Sequence, residues 1–298
     1  MKRCLNLYKF LLKRKRNSDK RDYGHVLVLA GSRGMSGASI LCANACVRSG
    51  AGLVTLAVPQ GLQKIVARNL YPEIMTLPLP ETHNGSPHIR AFDTIKNFAD
   101  KRKITAMAIG PGISTHPSTK TLVLKIIKNI SLPGVLDADG LNAISGGGDT
   151  LKKSKMHIIV TPHAGELSRL TGTPVAEIQK NRHSVKKAAM SFARKNKIVC
   201  VLKGHRTVVS DGKNIHTNTT GNPGMATGGS GDVLTGIISA FISQARGKTS
   251  KEKLFNAAVA GVFVHGLAGD MAAKEKTQIG MTPSDIIEKI PSAIRHCL

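Results

Sequence analysis

From residue 24 onward the sequence alternates short apolar runs with longer amphipathic stretches, and this rhythm restricts the fold more than any other feature. The runs at 25–30, 53–58, 104–109, 135–136, 157–160 and 198–202 are aliphatic or β-branched on both faces, as strands covered from both sides must be. Helical patterns separate them at 38–49, 60–70, 118–128, 140–145, 165–170 and 175–196. Strand, helix, strand in this order builds a parallel sheet with helices on its faces, so the expected fold class is α/β, a three-layer α/β/α sandwich with a mostly parallel central sheet. Asp211-Gly212, between the extended stretches 207–210 and 214–217, marks one antiparallel hairpin. Two long helices are expected at about 232–244 and 251–273. A last one begins at Thr282, with Pro283 in its first turn and Asp285 three residues past the cap.

The expected division is a basic N-terminal arm, residues 1–22, ahead of a single domain over 23–298. The arm holds nine basic and two acidic residues. Lys9 interrupts its apolar part and no small-residue cleavage site follows, so it reads as a solvated arm rather than a secretory signal. The whole chain carries 43 Lys and Arg against 18 Asp and Glu, a formal +25, which suits phosphorylated ligands, polyanions or acidic surfaces without choosing among them. With no Trp, three Tyr and seven Phe, base-stacking platforms are few, and no dedicated nucleic-acid partner is expected. The longest apolar run, 257–264, falls well short of the roughly 18 residues of a membrane helix, so no membrane partner is expected either. Five cysteines, at 4, 42, 46, 200 and 297, include no C-x-x-C pair and no histidine at zinc spacing. Cys42 and Cys46, at i and i+4, read as core thiols of a reduced, cytoplasmic chain.

The segment most informative about chemistry is 218–236, NTTGNPGMATGGSGDVLTG, where Gly221, Gly224, Gly228, Gly229 and Gly231 precede an apolar helix. Such a loop lets successive N–H groups converge on an anion while the helix contributes the positive end of its dipole. It is neither a Walker loop nor a dinucleotide fingerprint. Asp232, in the first turn, has two readings: a carboxylate that caps free N–H groups, or a base that takes a proton from a hydroxyl during phosphoryl transfer. The second is preferred, and the helix N-terminus is expected to lower its pKa. Asp137 and Asp139 follow a strand; one of them reaching magnesium through water, and Asp139 capping the next helix, both stand as readings.

These residues resemble a known family. Residues 23–290 resemble the ribokinase-like fold and, within it, the NAD(P)H-hydrate dehydratases. The resemblance rests on residues 24–59, AIGPGIS at 108–114, VLDADGLNAI at 135–144, TPHAGE at 161–166, LKGHRTVV at 202–209 and NPGMATGGSGDVLTG at 222–236. It departs at 18–21, Ser-Asp-Lys-Arg, where related chains tend to have Ser-His-Lys-Gly. The resemblance implies an ADP- or ATP-dependent lyase that phosphorylates the hydroxyl of hydrated NADH or NADPH (NADHX, NADPHX) and eliminates phosphate. A compact, unfused chain favours ADP as donor. It also implies magnesium, a homo-oligomer, often a tetramer, and a separate NAD(P)H-hydrate epimerase, since only about 22 residues precede the first strand. By the same resemblance Asp232 is the base and a hydrate contact. Ala38, Gly112 and His163 contact the hydrate, while Lys203, Gly204, His205, Arg206, Thr207 and Gly231 hold the nucleotide. From the residues alone, Ala38 also reads as a packing residue, Gly112 as a turn, His163 and Glu166 as a helix cap, and Lys203 as a solvated strand end. The alternative activity is a ribokinase-like kinase of a vitamin precursor or sugar; a basic nucleotide- or nucleic-acid-binding protein without catalysis is a third.

Overall fold

The computed structural model describes residues 5–146 and 149–298; Cys4 lies outside them. The described residues build one nine-stranded sheet: β1 His25–Leu29, β2 Leu53–Pro59, β3 Met75–Leu79, β4 Ala106–Ile109, β5 Pro133–Leu136, β6 His157–Val160, β7 Val199–Leu202, β8 Val208–Ser210 and β9 Ile215–Thr217. Their order is β3-β2-β1-β4-β5-β6-β7-β8-β9. β1 to β7 pair in parallel, and β8 and β9 add an antiparallel hairpin at one edge, as Asp211-Gly212 predicts. The chain winds outward from β1 to β3 and then returns to place β4 on the other side of β1. That reversal opens a crevice at the carboxyl ends of β1 and β4, where open α/β sheets take their ligands.

Helices cover both faces: α1 Ser36–Arg48, α2 Gln63–Ala67, α3 Ala91–Arg102, α4 Pro117–Asn129, α5 Asp139–Ile144, α6 Ala164–Thr171, α7 Val175–Gln179, α8 Arg182–Asn196, α9 Ser230–Ile242, α10 Ser250–Gly280 and α11 Pro283–His296. Alternate residues of each central strand enter opposite cores. Leu27, Met107, Leu136 and Val160 pack under the α3–α8 layer. Val26, Ala106, Val135 and Ile159 face the layer of α1, α2 and α9–α11. β3 and α3 are absent from the sequence reading, the expected helix at 60–70 shrinks to a 3-10 turn and α2, and the expected helix at 175–196 divides at Asn181, whose side chain caps α8. By length and composition α10 would cross a membrane, with a mean hydropathy of 1.3, but 72% of that window is buried inside the fold. It is a core helix packed on α9 and α11.

The basic arm is not solvated along its length. Leu7 is fully buried and Leu11 nearly so, both in the core with α9–α11. The Leu7 N–H donates to the Cys297 carbonyl (3.0 Å), and the Arg246 N–H donates to the Phe10 carbonyl (2.7 Å). Further on, the Arg14 guanidinium donates to the Gly50 carbonyl and lies 4.0 Å from the Tyr23 ring. The charge count of the arm hides three apolar residues, Leu5, Leu7 and Leu11, that bury more easily than its lysines hold it in water. Leu7→Ala is expected to cost about 2–5 kcal/mol, read as a lower denaturant midpoint at unchanged slope.

Candidate active site

The crevice between β1 and β4 is closed by two loops that hold each other. After β1 the Gly31 N–H donates to the Pro111 carbonyl (2.8 Å), and the Ser32 hydroxyl donates to the Gly112 carbonyl (2.8 Å). Gly112 has φ +61°, and a Cβ there would lie 2.9 Å from Met35 Cβ and 3.1 Å from Ala38 Cβ. Its lack of a side chain therefore lets the β4 loop seat against the first turn of α1, bringing Ala38 and Gly112 together.

Beside this crevice lies a buried charged cluster. Asp137, past the end of β5, is 1% exposed; its Oδ1 accepts from Lys203 Nζ (2.7 Å) and its Oδ2 from the Thr235 hydroxyl of α9 (2.7 Å). Glu166 Oε2 stands 3.7 Å from the same ammonium. Burial works against the Lys203 charge, but Asp137 and Glu166 outweigh it and hold its pKa above the ordinary lysine value. Asp232 follows Gly231 in the first turn of α9 and accepts no hydrogen bond among the described residues. Its pKa is pushed up to about 7 by burial, then by Asp137 and, less, Asp139, with Lys203 pulling the other way. This corrects the expectation of a lowered pKa: without a capping bond, the helix end is outweighed by desolvation and like charge.

A cleft of about 1050 Å³ opens beside the cluster. His163, Lys203, Gly204, His205, Arg206, Thr207 and Gly231 all line it, with the loop from Asn218 to Ser230 and His265 of α10. The loop after β7 is held from behind: Arg182 donates from both guanidinium nitrogens to the His205 and Arg206 carbonyls (3.0 Å each). The glycine-rich loop is tied to α10 by side chains the sequence reading passed over, those of Asn218, Thr220 and Asp270. Asn218 Nδ2 donates to the Val262 carbonyl (3.0 Å), the Thr220 hydroxyl to the Phe263 carbonyl (2.9 Å), and the Gly221 N–H to the Asp270 carboxylate (3.1 Å). A histidine and a carboxylate in the otherwise apolar stretch 257–273 of α10, His265 and Asp270, were the available signal. His265 is buried, its Nε2 3.3 Å from the Ser230 hydroxyl, and burial lowers its pKa to about 4, so it is neutral.

All the residues expected to hold the nucleotide thus share one cleft. Asp232, Ala38 and Gly112 lie outside its lining; Asp232 feels the charges of Lys203 and of Asp139, whose Oδ2 accepts from the Ser114 N–H (2.9 Å) two residues past Gly112. His163 lines the cleft and is joined to Lys203 by a parallel β-bridge. Its Nδ1 accepts from the Gly165 N–H (3.0 Å), and Glu166 Oε2 accepts from the His163 N–H (2.7 Å), a reciprocal cap of α6. His163→Ala is expected to cost about 1 kcal/mol, and His163→Asn, a good cap, to recover most of it; turnover that stays low in the Asn variant, by steady-state assay, marks a substrate contact beyond the cap.

Among the described residues no three His, Cys, Asp or Glu side chains are placed to hold a metal ion. Both Asp137 oxygens are engaged, and Asp139 accepts from Ser114 and from Asn142 Nδ2 (3.1 Å). The carboxylates do not fit a preformed magnesium site, and Asp139 ties loops together instead of capping α5. Cys42 and Cys46 are buried thiols, as read; Cys200 and Cys297 are buried too.

The comparisons agree with this geometry. The chain is 41% identical over 288 residues to the bifunctional NAD(P)H-hydrate repair enzyme Nnr of Moorella thermoacetica, a match covering 96% of this chain and 52% of that protein. It thus spans about half the length of the bifunctional relatives it matches. It is 36% identical over 263 residues to the ADP-dependent (S)-NAD(P)H-hydrate dehydratase of Neisseria meningitidis, covering 87% of this chain and 80% of the relative. The solved ADP/ATP-dependent NAD(P)H-hydrate dehydratase from Bacillus subtilis, co-crystallised with ATP and Mg2+, superposes with a TM-score of 0.79 at 28% identity, covering 98% of this chain and 96% of that one. The architecture is ribokinase-like. With the NAD(P)H-hydrate dehydratase family model matching residues 26–292, the chain belongs to the NAD(P)H-hydrate dehydratase family.

Proposed function

We propose that this chain dehydrates the (S)-hydrates of NADH and NADPH with ADP as phosphoryl donor, returning reduced cofactor, AMP and phosphate. The observation that carries the reading is Asp232: a carboxylate raised to about 7, next to Gly231 and the Lys203 ammonium on the wall of the donor cleft. Ionised, it takes the proton of the hydrate hydroxyl as that oxygen attacks the β-phosphorus; the bond from phosphorus to the oxygen bridging the two phosphates breaks, and AMP leaves. Lys203, held in its charged form, offsets charge on the transferring group. In the second half the C–O bond of the phosphorylated ring breaks, phosphate departs, a ring proton is lost and the double bond returns. A pKa near the working pH suits a group that must be a base in one turnover and rid of its proton before the next.

The reading takes ADP over ATP from the relative named ADP-dependent, and magnesium as the nucleotide's counter-ion from the structure co-crystallised with ATP and Mg2+. It takes a homotetramer as the assembly. An epimerase is its functional partner, in keeping with relatives twice as long being named bifunctional. The test is to incubate the protein with magnesium, chemically hydrated NADH and either ADP or ATP, and to follow recovery of reduced-nicotinamide absorbance together with free phosphate. Recovery with stoichiometric phosphate supports the reading; a phosphorylated product that keeps its phosphate identifies a kinase instead.

A further inference from the structure

The mechanism above uses Asp232 and Lys203 and leaves unassigned the most deeply buried acidic side chain beside them. Asp137 is a carboxylate at 1% exposure whose two oxygens go to two different elements, Lys203 beyond β7 and Thr235 on α9. A buried carboxylate away from function is expensive to keep, and a well-packed apolar group would do as well for stability. Its surroundings show where it acts. Lys203 Nζ, which Asp137 holds, would lie 3.4 Å from a Cβ at Gly231, and Asp137 Oδ2 3.7 Å from it. The backbone N–H groups at the start of α9, the Lys203 ammonium and the Asp232 carboxylate are thus gathered around one anionic anchor.

Resting on the dehydratase reading, we propose that Asp137 is the positioning residue of the site: fastened by Thr235, its carboxylate aims the Lys203 ammonium at the Gly231 wall of the nucleotide cleft and sets a fixed negative charge beside the Gly231-Asp232 turn. Every charged or titratable group known to bear on Asp232 is consistent with this. Asp137 and Asp139 oppose its ionisation from β5 and α5, and Lys203 favours it from beyond β7. Cys42 faces it from α1, a thiol kept neutral by its hydrogen bond to Cys46 and by burial. Of the two opposing carboxylates Asp137 is the stronger influence, as expected of the more buried charge.

Asp137→Asn keeps the shape and removes the charge. Titration of the Asp232 side chain by carbon NMR, in protein labelled at aspartate and assigned with Asp232→Asn, should show the midpoint moving toward acid, a drop in proton affinity of about tenfold. The acid limb of the kcat/KM profile should move the same way while the maximal rate falls. An Asp232 midpoint that stays in place or moves toward alkali overturns the proposal. Thr235→Val and Thr235→Ser cover failure of Asp137→Asn to fold. The valine variant should weaken ADP binding, by calorimetry, about tenfold, and the serine variant should restore it; equal affinity in both overturns the anchoring role. Carboxyl titration and ADP binding need no turnover. A wild-type protein that fails to regenerate NADH therefore sinks the dehydratase reading while leaving the role of Asp137 separately decided.

Discussion

Asp232→Asn is expected to lower turnover by about 10²- to 10⁴-fold while nucleotide binding survives, because the amide keeps the side chain's shape and cannot accept the proton. In the wild type the base works only when ionised, so kcat/KM should fall as pH drops through about 7, and that limb should vanish from the residual rate of the variant. The same substitution should stabilise the protein. Folding raises the Asp232 pKa from 3.8 to about 7, so the native state binds the proton more tightly than the unfolded chain. The stability Asp232 contributes is complete below pH 4 and is lost as pH rises through 7. Above pH 7 the buried ionised carboxylate costs on the order of 4 kcal/mol, and Asp232→Asn should recover much of it; at pH 4 the two proteins should unfold alike. Denaturant unfolding at pH 4 and pH 8, beside steady-state kinetics, checks both halves. A variant as active as wild type removes Asp232 from the mechanism.

Gly236→Ala should be among the most damaging single-methyl changes available. Gly236 lies in α9 where it crosses α1, and a Cβ there would stand 2.3 Å from the Cys42 carbonyl oxygen and 2.8 Å from Ala45 Cβ. The Cys46 thiol also donates to the Gly236 carbonyl (3.2 Å). Neither backbone has slack, so the helices must separate, at a cost of about 3 kcal/mol or more. The damage is also functional, because the first turns of these two helices carry Ala38 and Gly231-Asp232. A loss of both denaturant midpoint and kcat is expected. Gly37→Ala is the control: with nothing beyond its own helix and chain neighbours within 4 Å of an added Cβ, it should be neutral or stabilise by up to about 1 kcal/mol.

The parallel sheet was legible because β1, β2, β4, β6 and β7 are apolar on both faces, a pattern that few other structures require. β3 was not, because Met75–Leu79 is an edge strand that contains a proline and buries only Leu79. α3 carried a usable signal, Phe92, Ile95 and Ala99 at helical spacing, diluted by seven charged or strongly polar neighbours. In the candidate site, the 203–207 loop and the glycine-rich loop that line one cleft each form a local motif and are visible as such in the sequence. The partnership of Asp137 with Thr235 spans 98 residues and has no local trace. His163 is both the cap of α6 and part of the cleft lining, and its capping role was legible from Glu166 three residues on.

The contact between Leu7 and Cys297 has a topological consequence. Hydrogen-bonded at 3.0 Å, two segments far apart in sequence meet, and each shields the other from water. Fraying commonly starts in a loosely held terminal segment; here displacing the end of α11 uncovers a fully buried leucine, so the segment around Leu7 and the last turn of α11 are expected to loosen together rather than one after the other.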